Sequence, residues 1–457
     1  MKKALFEAFT TKEEFEELLV RLIVVHSLSF SAVEWEELRA LCQLVALAPL
    51  PSRRTITARI HSTYQKKRDI VREILLASPS KIQLSVDIWS SPNHLLWLGV
   101  IAQFVDQKKQ EVTHGLIDMI NVSGHSGESQ WKMLKPTLRD LGVIRKLGAI
   151  TADNSGTNDT LCNEIDYYLA CESRINTTWG AKTKRIRCLG HIINLVVKAF
   201  LFKDFIDDTH LQSYDEQNIY KGTDSEIETR RNTFRKLGPL GRLHNIAVHA
   251  RASSHRTKRF KELVDRLLPL DNATRWNSWY AMLEVATEKE SLIDAYVKEH
   301  LDTLKSDLLS SEDWIAIHMV KKFLQPFKSA TLVAQGDRGL LHEALYNIDI
   351  LNRHISRHLI RNKEQTEFQK RCKNAYSVLT RYRNLMINES PLYSMALALH
   401  PSYRMKYFTD NWSRVDATNA SWKRSLQNLY EKYKQEISPP DYRFRNSETS
   451  KPKSSKY

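Results

Sequence analysis

The sequence predicts an α/β core with a mixed sheet, flanked by an N-terminal helical region and a large all-helical part. Three observations carry this. Apolar residues recur at helical spacing through residues 10–80, alternate one-on-one-off from residue 82, and return to helical spacing past about residue 230. The alternating stretches are joined by short turns, which implies antiparallel neighbours. A length of 457 residues with 42% hydrophobic content allows two or three domains with a sizeable core.

Composition narrows the class of protein. A mean hydropathy of −0.44 and the lack of an apolar run of spanning length argue against a membrane protein. The five cysteines, Cys42, Cys162, Cys171, Cys188 and Cys372, are widely spread and form no CxxC pair, so neither a disulfide framework nor a zinc finger is indicated. The formal charge is +15. Ten cations and no acid lie between Thr229 and Lys261, so two thirds of that charge sits in 33 residues. A second cluster holds Arg53, Arg54, Arg59, Lys66, Lys67 and Arg68. Acid-free basic blocks concentrate positive potential, and a phosphate backbone is its commonest partner. A solvated loop with no partner is the plainer alternative.

The elements follow in order. FEELLVRLIV and AVEWEELRALCQLV read as helices with Glu in their early turns; Pro49 and Pro51 interrupt, and RIHSTYQKKRDIVREILLAS resumes the pattern. Ile82, Leu84, Val86 and Ile88 then form one apolar row of a strand, with Asp87 on the other row near the strand end. LLWLGVIAQFV suits a central strand, and EVTHGLIDMINV a third. Trp131, Leu134, Leu138 and Leu141 suggest a helix that Pro136 either kinks or begins. KLGAITA is a fourth strand leading to Asp153, and a helix follows through Leu161, Ile165 and Leu169. CLGHIINLVVKAFLF is apolar nearly all round, which predicts a buried helix or a strand running into one. Segments 259–269, 279–308, 311–334, 340–362 and 365–386 read as helices, and the polar tail as disordered. The expected organisation is an N-terminal helical region (1–80), the first part of the core (81–205), a basic linker (206–262), an all-helical insertion domain (263–437) and a tail (438–457).

Three meandering strands followed by helix, strand and helix is the ribonuclease H-like order, in which acids at the ends of the first and fourth strands meet. Here these are Asp87 and Asp153. Paired carboxylates can hold Mg2+ or Mn2+ for phosphoryl transfer. The plainer readings are a polar-face residue for Asp87 and a helix cap for Asp153. Cys188 and His191 stand at i and i+3 and could share a helix face; two ligands do not make a structural zinc site, and a satisfied buried histidine is the simpler alternative. In DNATRWNSWY, Arg275 and Trp276 offer a cation and a stackable ring just beyond the basic block, although tryptophans at such spacing are more often core anchors.

Several motifs together resemble one family: DIWSSP (87–92), HSGE (125–128), TADNSGTND (151–159), RCLGHIINLVV (187–197), GPLGRLHNIAVHARAS (238–253), TRWNSWYAML (274–283) and SPLYSMALALHPSYRMKYF (390–408). They occur in the order found in the hAT (hobo–Activator–Tam) DNA transposases of the group common in fungi, over roughly residues 10–430. The resemblance implies a ribonuclease H-like catalytic domain interrupted by an all-helical insertion, cutting DNA at element ends and joining the freed ends to a target. It implies Asp87 and Asp153 as two catalytic, metal-holding acids, His191 of the Cys188-x-x-His191 motif close to the active site, and Trp276 stabilising distorted DNA. DNA contacts are expected from Arg242, Arg251, Arg256, Lys258, Arg259, Arg275 and Trp276. The implied cofactor is Mg2+ or Mn2+, the partners are transposon ends and target DNA, and the location is the nucleus; family members also pair with a second copy, through a dimerisation segment that this sequence does not match. The BED-type finger and the A-E-R-x-F-S segment carrying the third acid, a Glu, are not matched. The chain is therefore expected to be short at both ends and impaired in cleavage and strand transfer, the alternative being a transposase-derived DNA-binding or regulatory protein.

Overall fold

The computed structural model describes residues 12–44, 50–172, 179–203, 223–270, 276–335, 341–361 and 366–412, with short helical pieces at 423–424, 426–428 and 430–431. The tail 438–457 and Arg275 lie outside the described residues. The chain divides into two compact units: Met1–Thr151 with Asp159–Trp179, and Ala152–Asn158 with Gly180–Tyr457.

In the first unit, helices α1 (Lys12–Val25), α2 (Glu36–Leu44) and α3 (Arg53–Ala77) follow one another, with a 3-10 turn at Phe30–Glu34. Their small core is Leu19, Val20, Ile23, Val33 and Ile56. Ser52 caps α3 by accepting from the Thr55 N–H at 3.2 Å. At its other end, the Lys146 ammonium donates to the carbonyls of Leu75, Leu76 and Ser78 at 2.6–3.3 Å, satisfying acceptors the helix cannot.

The sheet comprises β1 (Ile82–Ser90), β2 (Leu96–Val105), β3 (Val112–Asn121), β4 (Leu147–Ala152) and the three-residue β5 (Arg185–Arg187), in the order β3-β2-β1-β4-β5. β1 and β2, and β2 and β3, are antiparallel, while β1 and β4 are parallel. The alternation expected from sequence holds: Ile82, Leu84 and Val86 are buried, whereas Ser85, Asp87 and Trp89 are exposed. β1 runs three residues past Asp87, so this acid lies within the strand. HSGE proves to be a helix start. Ser126 accepts from the Ser129 N–H and caps α4 (Gly127–Asp140), and Pro136 stands inside that helix, so it does not begin it. Helix α5 (Gly156–Glu172) follows β4.

In the second unit, the short α6 (Ala181–Lys184) and β5 lead into α7 (Leu189–Leu201), whose Ile192, Ile193, Val196, Val197 and Phe200 are buried. The segment expected to be a basic linker at 206–262 is, in its described part, three packed helices: α8 (Asp224–Arg235), α9 (Pro239–Arg251) and α10 (Ser254–Val264). Thr223 and Glu226 close α8 with a reciprocal capping box. Nearly every residue of α9 is buried, which no linker would show. Its entry depends on glycine twice. Gly238 has φ +68°, and a Cβ on Gly241 would stand 1.7 Å from the Phe234 carbonyl oxygen. Counting cations hid this, because the apolar period of α9 lies between them.

Beyond it, the stretch expected as one helix at 279–308 is broken into α11 (Asn277–Glu288), α12 (Glu290–Glu299) and α13 (Leu301–Leu304). The long α14 (Ser311–Gln335), α15 (Leu341–Arg361) and α16 (Glu367–Asn388) follow, then α17 (Leu392–Leu399) and α18 (Arg404–Asn411). Phe200 of α7 stacks on Phe323 of α14 with centroids 4.4 Å apart, and Phe234, His244 and Trp279 form a second stack. Buried Asp349 on α15 accepts from Arg383, Tyr407 and Trp412, which ties α16 and α18 to it. No helix among the described residues is long and apolar enough to cross a membrane.

Candidate functional site

Asp87 belongs to the first unit. Alternation in β1 puts its carboxylate on the exposed row, with Ser85 and Trp89 on either side, and its register partner on β2 is Gly99. The indole of Trp89 lies against Gly99, 3.1 Å from where a Cβ would stand. On β4 the last recorded partner pair is Ser85 with Thr151. Each acid therefore follows its own strand's member of that pair by two residues.

Asp153 belongs to the second unit and stands one residue past β4. Its Oδ1 accepts from the Ser155 N–H at 2.9 Å and from Asn158 Nδ2 at 2.6 Å, a turn that delivers the chain into α5. Asp153 is therefore not the cap of α5: its backbone donor, Ser155, precedes Gly156, and it is Ser155 whose hydroxyl accepts from the Thr157 N–H, while Oδ2 of Asp153 makes no hydrogen bond among the described residues. The backbone at this point is held by Arg185, a residue that sequence reading did not single out. Its guanidinium is buried and donates to Ala152 O at 3.1 Å, to Ile186 O at 2.6 Å and to Asp153 O. Ala152 O also accepts from the Cys188 N–H at 2.9 Å. No pattern in the sequence marks a buried arginine that bonds to the carbonyls of its neighbours. The one hint is an arginine inside RIR, directly before the Cys188-x-x-His191 motif.

Cys188 is the N-cap residue of α7, without a side-chain cap bond, and His191 is the third residue of that helix; both are half-buried. β5 is held on its outer side by Tyr393, whose hydroxyl accepts from Arg187 N–H at 2.7 Å and donates to Arg187 O at 3.3 Å. Burial pushes this phenol's pKa up to about 12, so it keeps its proton. Nearby, Ser390 Oγ donates to Thr183 O, and Glu389 lies 3.5 Å from the Arg187 guanidinium.

Trp276 is buried rather than displayed. Its backbone N–H donates to Asn194 Oδ1 of α7 at 3.3 Å and its ring meets Tyr280 edge-on. A base could stack on it only after the ring left this seat. The basic block is also partly committed. Arg242 pairs with Asp313, Arg259 pairs with Glu299, and Arg251 donates to Leu268 O. Arg256 and Lys258 on α10 have no ion pair among the described residues.

Two carboxylates offer the hard oxygen donors that Mg2+ and Mn2+ accept. They fit such an ion in kind. Mg2+ is commonly held by one or two carboxylates with water and phosphate oxygens, and no group of three or more His, Cys, Asp or Glu that could hold a metal occurs among the described residues.

Comparison with known proteins adds an independent line. The family model of the ZBED1 RNase-like domain matches residues 85–178, and that of the ZBED1 RNase-like helical domain matches residues 186–323. Together they cover half of the chain, the first ending after α5 and the second beginning within β5. A Talaromyces stipitatus protein, tpeD, described as a candidate transcriptional regulator, is 25% identical over 455 residues, covering 96% of this chain and 49% of its own length. The zinc finger BED domain-containing proteins RICESLEEPER 3 and RICESLEEPER 2 of Oryza sativa subsp. japonica are 22% and 21% identical, covering 80% and 84% of this chain and 45% and 49% of their own. The chain spans about half the length of the curated relatives it matches.

Proposed function

Because the chain belongs to the hAT-type transposase-like family, we propose that it is a nuclear DNA-binding protein in which Asp87 and Asp153 are the carboxylates that would hold Mg2+ or Mn2+. The observation that carries DNA binding is the set of cations on α10 and α3 that have no acidic partner among the described residues. On α10 these are Arg256, Lys258 and Lys261, and on α3 they are Arg53, Arg54, Lys66, Lys67 and Arg72. A divalent ion at the acids would polarise a phosphodiester and stabilise the charge developing on its oxygens. The chain's own part is to present Asp87 on an open strand face and to fix Asp153 by its turn and its carbonyl contacts. Transposon ends and target DNA are the partners this reading assigns, with a second copy of the chain.

The test is fluorescence anisotropy of a labelled duplex against salt, together with an element-end cleavage assay in Mg2+ and Mn2+. Affinity should fall steeply with salt and survive the double change Asp87→Ala, Asp153→Ala, and cleavage should be weak. Failure to bind duplex DNA at physiological salt would sink the reading. Robust cleavage abolished by Asp87→Ala would replace it with that of a working transposase. Transcriptional regulation is the second reading, favoured by the description of the Talaromyces relative.

A further inference from the structure

We infer that Arg185 is a positioning residue for Asp153, and that Tyr393 on the helical side of the unit holds Arg185 in place by clamping β5. The inference rests on the reading of Asp153 as a metal-holding carboxylate and adds to it the device that aims the group.

A guanidinium is planar and carries five N–H donors in a fixed fork. In Arg185 one nitrogen serves Ala152 O and Ile186 O while another serves Asp153 O. The carbonyls on both sides of the Asp153 nitrogen and α-carbon are therefore held by one rigid group. With the Cys188 N–H also on Ala152 O, both acceptor sites of that carbonyl are used. Fixing the Asp153 carbonyl fixes the peptide plane that follows, on which the Ser155 turn depends. Ser155 and Asn158 then engage Oδ1, leaving Oδ2 as the oxygen for a ligand. The charge of Arg185 lies in the interior, where such a group is costly unless its donors are satisfied.

Arg185 in turn needs a fixed strand to stand on. β5 is three residues long and would fray alone. Tyr393 bonds both the N–H and the carbonyl of Arg187, as a neighbouring strand would, and Ser390 bonds Thr183 O. Ser390, before α17, and Tyr393, at its start, thus hold the chain on both sides of Arg185, at Thr183 of α6 and at Arg187 of β5. Partners outside the coordination sphere typically change metal affinity by about 10–100-fold.

The experiment is titration of Mn2+ into the full 457-residue chain, with free Mn2+ read by electron paramagnetic resonance and folding checked by thermal melting. Arg185→Lys keeps the charge but cannot span three carbonyls, so Mn2+ affinity should fall about tenfold or more. Tyr393→Phe should weaken it severalfold. In an Asp153→Ala background, Arg185→Lys should cause no further loss, which separates positioning from a general defect. Wild-type affinity in a folded Arg185→Lys chain would overturn the inference, as would an equal loss in the Asp153→Ala background. Equal Mn2+ binding by wild type and Asp153→Ala would overturn the underlying reading along with it. If Arg185→Lys does not fold, Tyr393→Phe decides alone, and unchanged affinity there counts against the clamp.

Discussion

The two basic stretches of this chain, α3 and the block from Thr229 to Lys261, have opposite fates on folding. The block holds ten cations without one acid in sequence, yet folding brings acids to it from 40 to 72 residues further along. Asp307 takes Arg235, Asp313 takes Arg242, and Glu299 takes Arg259. In α3, among the described residues, only Arg59 and Arg68 are paired, the first with Glu16 and the second with Asp140 and Asp118, although Asp69 and Glu73 stand in the same helix. Its other cations remain exposed. Freedom from acids along the sequence is thus a poor guide to freedom from acids in space. A cation inside a packed helix meets whatever the neighbouring helices carry, whereas one on an outer face meets water.

The sharpest way to break this comparison is through Asp307. It is fully buried and accepts from Arg235 at 2.8 and 2.7 Å and from Asn245 at 2.8 Å. Asp307→Ala removes the buried acceptor and leaves the guanidinium only the exposed Glu228 as its counter-charge, which should cost about 3 kcal/mol, read as a lower urea midpoint at unchanged slope. A loss below about 1 kcal/mol would mean that the pair behaves like a surface one.

A second, smaller effect concerns DNA. The double change Lys258→Ala, Lys261→Ala should flatten the salt dependence of binding by roughly 0.9 for each phosphate no longer neutralised, whereas Arg242→Ala should leave DNA affinity unchanged. Equal weakening by both would erase the distinction between paired and unpaired cations.

A third effect appears with pH. His249 is buried between Tyr296 and Thr303, each 3.0 Å from a ring nitrogen, and burial, with the Arg256 and Arg231 charges, pushes its pKa down to about 3. The unfolded chain would take up this proton near pH 6.5 and the folded chain near 3, so the contribution is complete above 6.5 and lost as pH falls through that window. Stability should decline there by at most about 1.4 kcal/mol per pH unit, and His249→Gln should remove this slope.

Much of the fold is legible because its strands obey a period of two. The four longer strands can be read to within about a residue, whereas the sequence does not tell that Ser155, two residues after Asp153, is the one that caps α5. β5 is not legible as a separate element. Three residues carry no period, and it forms because Ala152 and Tyr393 lie on either side of it. The same holds for the site. Asp87 and Asp153 stand out as acids on or just after the first and fourth strand segments, although Asp87 lies three residues inside β1, whereas Arg185 bonds to carbonyls, which look alike at every position of a sequence. Trp276 reads equally as a stacking platform or a core anchor, and only burial separates the two.

Tyr393 also bears on how the protein behaves in company. An edge strand with bare N–H and carbonyl groups is a template on which another chain can extend a sheet. At Arg187 one phenol occupies both groups, donating to one and accepting from the other. This hydroxyl therefore acts as a guard against unwanted ribbon growth. Phenylalanine would fill the same space and leave the edge open, so a variant that still folds would be more prone to aggregate from this strand.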